Sequence, residues 1–152
     1  MRMVDQSDKP HMAVAAALAQ DLRGIASKLK RRLREQADVG DLTPTQISVL
    51  LRLDKDGPAT TSNLARAEGM RPQSMGAVIS ALEAAGLVHG VPDPADGRQT
   101  ILSLTDTCLR MIQEGRAARQ DWLHRTIEAR LSREEQEQLQ ASLELLRRLV
   151  DD

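Results

Sequence analysis

Leu87-Val-His-Gly-Val-Pro-Asp-Pro-Ala-Asp-Gly-Arg-Gln-Thr-Ile-Leu-Ser-Leu104 carries the strongest fold signal in the chain. It reads as an isolated β-hairpin, its tip charged and confined to a loop by Pro92, Pro94 and Gly97. The rest of the chain reads as helix from end to end. A lone hairpin is marginal in water and needs a partner surface. The predicted partner is the helix pair just before it, residues 60 to 85. Two short helices followed by a hairpin form the layout of a winged helix-turn-helix, which points to DNA.

The helices follow from apolar spacing and from stop signals. A short helix is predicted from Thr60 to Ala67, with Thr60 or Thr61 as cap and Leu64 facing in. Glu68-Gly69-Met70 is the turn, and Pro72 opens a second helix that runs to Ala85. Gly86 is a natural left-handed cap, with Leu87 making the apolar contact after it. Met75, Val78, Ile79 and Leu82 share one face of this second helix. Gln73, Ala77, Ser80 and Ala84 fall on the other, which is small and nearly uncharged and can approach another surface closely.

Upstream, Val14, Leu18, Leu22, Ile25, Leu29 and Leu33 recur at intervals of three and four, one stripe of a long helix over residues 11 to 37 that Gly40 closes. Thr43-Pro44-Thr45-Gln46 carries a capping box and a first-position proline, and Ile47, Leu50, Leu51 and Leu53 give that helix its buried face until Asp56-Gly57-Pro58 stops it. Downstream, Thr105 caps a helix from Asp106 to Ala129, with Leu109, Ile112, Leu123 and Ile127 inward. Ser132-Arg-Glu-Glu135 opens a last helix with Leu139, Leu143, Leu146 and Val150 on one face.

These elements predict a mainly α chain with a small β-hairpin wing. The organisation is a disordered tail at 1–10, an N-terminal dimerisation helix at 11–40, a winged helix-turn-helix lobe at 41–104 and C-terminal dimerisation helices at 105–152. The long end helices exceed what one small lobe needs for burial. They read as a homodimer module, the other arrangement being an intramolecular bundle.

Composition narrows the function. The 152 residues carry 41% hydrophobic and 28% charged side chains, with one Trp and no Tyr or Phe. Recognition by base stacking on aromatic platforms is excluded. No apolar run approaches the roughly 18 residues that span a bilayer, and no signal peptide is visible, so a cytoplasmic address is expected. The single cysteine, Cys108, and the scattered His11, His89 and His124 offer no metal site and no disulfide within the chain. Cys108 reads as a small core residue rather than a redox sensor. No nucleophile–base pair or phosphate loop is present, so no enzyme and no cofactor are expected.

The recognition-helix start places Arg71, Gln73 and Ser74 for base edges and phosphate, with Ala77 one turn on along the outer face. Thr61, Ser62 and Asn63 open the preceding helix as phosphate contacts. Between Arg23 and Arg34 lie six basic and no acidic residues, either a solvated face or an anion-facing patch.

Residues from about 40 to 130 resemble the MarR family of winged helix-turn-helix regulators. The carrying motifs are Leu64-Ala65, Leu82-Glu83-Ala84-Ala85-Gly86-Leu87-Val88, and the wing Asp93-Pro94-Ala95-Asp96-Gly97-Arg98 followed by Leu104-Thr105. The resemblance implies a homodimer, most often a repressor, on a pseudo-palindromic duplex operator, released by a small anionic or aromatic effector or an oxidant. It places the effector pocket where Arg31 or Arg34 could neutralise a carboxylate, and adds Arg98 of the wing to the DNA contacts. The oxidant sensors of the family carry a cysteine near the start of the first helix, and this chain has none there.

The departures bear on the wing. Many family members have Arg where this chain has Ala95, Thr-Arg where it has Gly76-Ala77, and Arg where it has Gly90. Residues 57 to 104 hold three positive groups (Arg66, Arg71, Arg98) and four negative ones (Glu68, Glu83, Asp93, Asp96), a net of −1. Arg98 is expected to pair with Asp96 or Asp93 and brace the wing, leaving specificity to Arg71, Gln73 and Ser74. The alternative function is a winged-helix protein–protein interaction module with weak or lost DNA binding.

Overall fold

The computed structural model describes residues 8 to 152. Its elements are α1 (Asp8–Glu35), α2 (Pro44–Asp56), β1 (Ala59–Thr60), α3 (Thr61–Ala67), α4 (Pro72–Ala84), β2 (Val88–Pro92), β3 (Thr100–Leu104), α5 (Asp106–Arg130) and α6 (Arg133–Val150). They form two compact units. One comprises the chain up to Ala37 together with Ala118–Asp152, and the other is Asp38–Ala117. Helix α1 begins at Asp8, so residues 8 to 10 of the expected tail are helical, and residues 1 to 7 lie outside the described residues.

The unit Asp38–Ala117 is built on local caps. Thr43 Oγ1 accepts from the Gln46 N–H at 3.2 Å, and Gln46 Oε1 accepts from the Thr43 N–H at 2.9 Å, closing the capping box of α2. Gly57, at φ 87°, ends that helix. Thr60 caps α3 by accepting from the Asn63 N–H at 3.1 Å. A capping residue is already extended, here at φ −81° and ψ 159°. Thr60 and Ala59 therefore also pair as a strand with Ile101 and Leu102 of β3. The expected isolated hairpin is in fact part of a three-stranded antiparallel sheet of order β1-β3-β2. A two-residue strand leaves no alternation in a sequence, so periodicity could not reveal it.

Helices α3 and α4 end alike. Past α3, the Met70 N–H donates to Ala65 O at 2.8 Å and the Gly69 N–H to Arg66 O at 3.3 Å, with Gly69 at φ 64°. Past α4, the Leu87 N–H donates to Leu82 O and the Gly86 N–H to Glu83 O, both at 3.0 Å, with Gly86 at φ 73°. These are paired Schellman caps, which require a left-handed residue.

Every buried residue among those described lies between Val49 and Cys108. Leu64, Met75, Leu82, Leu102, Val49 and Cys108 are fully enclosed, in a core without a single aromatic ring. Leu51 and Leu109, both expected inward, are 46% and 37% exposed. At about 100° per residue, a helix that turns Val49, Leu50 and Leu53 inward must turn Leu51 away, and one that buries Cys108 rotates Leu109 outward.

The other unit contains α1, α6 and the second half of α5. Ser132 and Glu135 form the second capping box, and the bond from the Ser132 N–H at 2.9 Å holds the Glu135 carboxyl below its usual range. The Arg32 guanidinium lies 5.9 Å from the centre of the Trp122 ring. Leu18 and Leu22 of α1 and Leu145, Leu146 and Leu149 of α6 line an apolar groove of about 470 Å³. No described residue of this unit is buried. Leu18 is 63% and Leu149 71% exposed.

Two glycines of the α4 region are expected to respond oppositely to the same change. Nothing lies within 4 Å of a Cβ added at either Gly76 or Gly86, so only the backbone decides. Gly86→Ala forces a left-handed alanine and should lower stability by about 1–2 kcal/mol. Gly76→Ala, inside the helix, should raise it by about 0.5–1 kcal/mol. Urea unfolding of the two variants, followed by circular dichroism, checks both signs.

Candidate nucleic-acid interface

Arg71 is the N-cap residue of α4, at φ −71° and ψ 146°, and its side chain makes no capping bond. Pro72 takes the first helical position, and the first turn holds no acidic residue. Arg71, Gln73 and Ser74 are all exposed. Their helix end also presents N–H groups without helical partners and the positive end of the helix dipole. Met75, Ile79 and Leu82 anchor the opposite face in the core. Gln73, Ala77, Ser80 and Ala84 are therefore exposed along the outer face, as their spacing predicted.

On α3, Ser62 and Asn63 are exposed and Thr61 is half-buried. Asn63 also lines a recess of about 170 Å³ with Arg52 and Asp56. The capping oxygen of α3 belongs to Thr60, so the Thr61 hydroxyl is not needed as the cap.

The wing departs from expectation. Arg98 pairs with neither acid, and its guanidinium makes no ion pair among the described residues. Asp96 Oδ1 instead accepts from the Arg98 backbone N–H at 3.1 Å, and Asp93 Oδ1 from the Ala95 N–H at 2.9 Å. A short aspartate reaches the amide two residues on without ordering a long side chain. The Asp93 N–H to Gln99 O bond at 2.9 Å and the Gln99 N–H to Asp96 O bond at 3.0 Å close the loop. Both acids thus brace the tip through the backbone, and Arg98 is left exposed. At Gly90, opposite Leu102, an added Cβ would stand 2.5 Å from Thr100 Cγ2, so the strand pair itself disfavours a side chain there.

The acidic balance of the lobe also changes. Glu68 Oε1 accepts from Ser48 Oγ at 2.7 Å and from Arg52 Nε at 3.1 Å. Asp54 is held by Arg116 at 2.6 Å. Partners 16, 20 and 62 residues apart carry no local signal, and the sequence reading missed all three contacts.

The MarR family model matches residues 42–100. An uncharacterised HTH-type transcriptional regulator of Mycobacterium bovis is 36% identical over 137 residues, which cover 90% of this chain and 95% of that protein. The chain belongs to the MarR family. It is a transcriptional regulator with a DNA-binding winged helix, not an enzyme. The transcriptional regulator Tm0710 of Thermotoga maritima shares the fold, with a TM-score of 0.77 at 23% identity over 90% of this chain and 95% of that one. A mutant of Staphylococcus aureus MepR bound to an oligodeoxyribonucleotide superposes with a TM-score of 0.68 at 25% identity, over 86% of this chain and 96% of that one.

In this MarR-family regulator Arg31 and Arg34 are exposed on α1. Neither lines any of the grooves described above. Arg32, between them, bonds Glu35 at 3.4 Å and covers Trp122. Cys108 sits in the first turn of α5, its N–H donating to Thr105 Oγ1 at 3.1 Å. Burial, and secondarily the charge of Asp54, push its thiol up, which suits an inert core residue. Among the described residues no cluster could hold a metal ion, and no helix is long and apolar enough to cross a membrane.

Proposed function

We propose that this regulator is a homodimer that represses by seating two α4 helices in successive major grooves of a pseudo-palindromic operator. The observation that carries the reading is the start of α4. Arg71, Gln73 and Ser74 are exposed there, no capping bond engages Arg71, and the rest of the helix is anchored by Met75, Ile79 and Leu82. Gln73 has the donor–acceptor pair that matches adenine, and Arg71 matches guanine or phosphate. Ala77 keeps the outer face low enough for close approach. Thr61, Ser62 and Asn63 are assigned to phosphates. Arg98 is assigned to the backbone beside the minor groove, a role supported by its lack of an acidic partner among the described residues. The Arg52–Glu68 pair weakens the case for a protein-interaction module, because that case leaned on an acidic lobe.

Dimerisation is supported by the unit that holds α1, α6 and the second half of α5. Its long helices leave Leu18, Ile25, Leu145, Leu149 and Val150 exposed, an apolar surface larger than scattered single residues. Arg31 and Arg34 are assigned to a small anionic effector, on the ground that both are exposed cations without an ion pair among the described residues.

Selection from random duplex DNA should enrich an inverted repeat with half-sites about one helical turn apart. On the selected duplex Gln73→Ala should cost about 1–3 kcal/mol, while Arg98→Ala should weaken selected and scrambled duplexes alike and lower the salt slope by about 1. No enrichment at low salt would defeat the DNA reading. In sedimentation, wild type should run as a dimer and Leu18→Glu/Leu149→Glu as a monomer, and equal masses would remove the proposed interface. An aromatic carboxylate such as benzoate should loosen the wild-type complex with DNA but not that of Arg31→Ala/Arg34→Ala. An equal response would take these arginines out of the effector site.

A further inference from the structure

Glu68 ends α3 and faces back toward α2. Its Oε1 accepts two donors from that helix, Ser48 Oγ at 2.7 Å and Arg52 Nε at 3.1 Å. Ser48 and Arg52 stand four residues apart, so one helix face supplies both. The Glu68 side chain is 14% exposed, which shields the contact from solvent. Only Gly69 and Met70 separate it from Arg71, the N-cap of the reading helix. That link has little slack. Gly69 is held left-handed at φ 64°, the Met70 N–H is bonded to Ala65 O, and Met70 packs on the core.

We propose that Glu68 is a positioning residue for DNA reading: clamped by Ser48 and Arg52, it fixes the α3–α4 turn and thereby the line along which Arg71 and Gln73 meet the bases. The inference rests on α4 being the recognition helix. Charge alone argues for the opposite effect. A carboxylate in a DNA-facing lobe repels phosphate, so deleting it should tighten binding to every duplex. Geometry argues that deletion loosens the turn and blurs the distinction between sequences. The sign of the change separates the two.

The test uses the full chain, the selected duplex and a scrambled duplex of equal length, titrated by fluorescence anisotropy at one salt concentration, with circular dichroism to establish folding. Glu68→Ala should lower the preference for the selected duplex by roughly fivefold or more, the scale of one mismatched base pair. Glu68→Gln, which keeps an oxygen for both donors, should recover most of it. Ser48→Ala, which changes no charge, should lose part of the preference and leave scrambled binding unchanged. Glu68→Ala with its preference intact, or with both duplexes bound more tightly, overturns the proposal. Should Glu68→Ala fail to fold, Ser48→Ala decides, and an unchanged preference there is equally fatal. If Gln73→Ala and Arg71→Ala leave the preference intact, the recognition-helix reading fails and takes this inference with it. Preference lost in Gln73→Ala but kept in Glu68→Ala removes this inference alone.

Discussion

Strand β3 carries backbone pairing on both sides, and the DNA-binding lobe depends on it. A two-stranded ribbon is marginal in water, and the wing would be one without β1. Leu102, in the middle of β3, faces Ala59 on one side and Gly90 on the other, and its side chain is fully buried. The residue that follows the strand extends the same linkage. Thr105 donates its hydroxyl to Gly86 O at 2.7 Å, its N–H to Leu87 O at 3.0 Å, and accepts from the Cys108 N–H. One segment therefore ties the helix-turn-helix entry, the end of the reading helix, the wing and the start of α5. The wing's orientation follows from hydrogen bonds at its base and not from contacts at its tip.

Charge in this lobe is arranged by reach. Asp93 and Asp96 are engaged locally, on backbone amides of the wing, while Glu68 and Asp54 are engaged across the fold by partners on α2 and α5. The long cations Arg71 and Arg98 have no acid partner among the described residues and lie on the surface. A summed charge of −1 over residues 57 to 104 hides this separation, because an engaged carboxylate opposes phosphate less than an open one. A DNA-binding lobe can thus be acidic by count and still present cations where they are needed.

Much was legible locally. Both capping boxes, the Pro72 start, the Gly86 stop and the outer face of α4 are properties of a few neighbouring residues, and the structure shows each of them. The misses have a common origin. Strand β1 is two residues long, Leu51 and Leu109 sit at the edge of faces whose other members do turn inward, and Arg98 has two acids, Asp93 and Asp96, within reach along the chain that are taken by backbone amides. Each depended on a partner far along the chain, or on a contest between two partners that spacing cannot judge.

The order of the helices and the hairpin, the helix caps and the family resemblance can be read along the chain, because caps, turns and apolar periodicity act over three or four residues. It takes the folded chain to make the wing a three-stranded sheet, to leave Arg98 without an acid partner among the described residues, and to clamp Glu68 against α2. Those outcomes turn on which groups meet after the chain has closed loops of 16 to 62 residues, and no local pattern encodes the meeting.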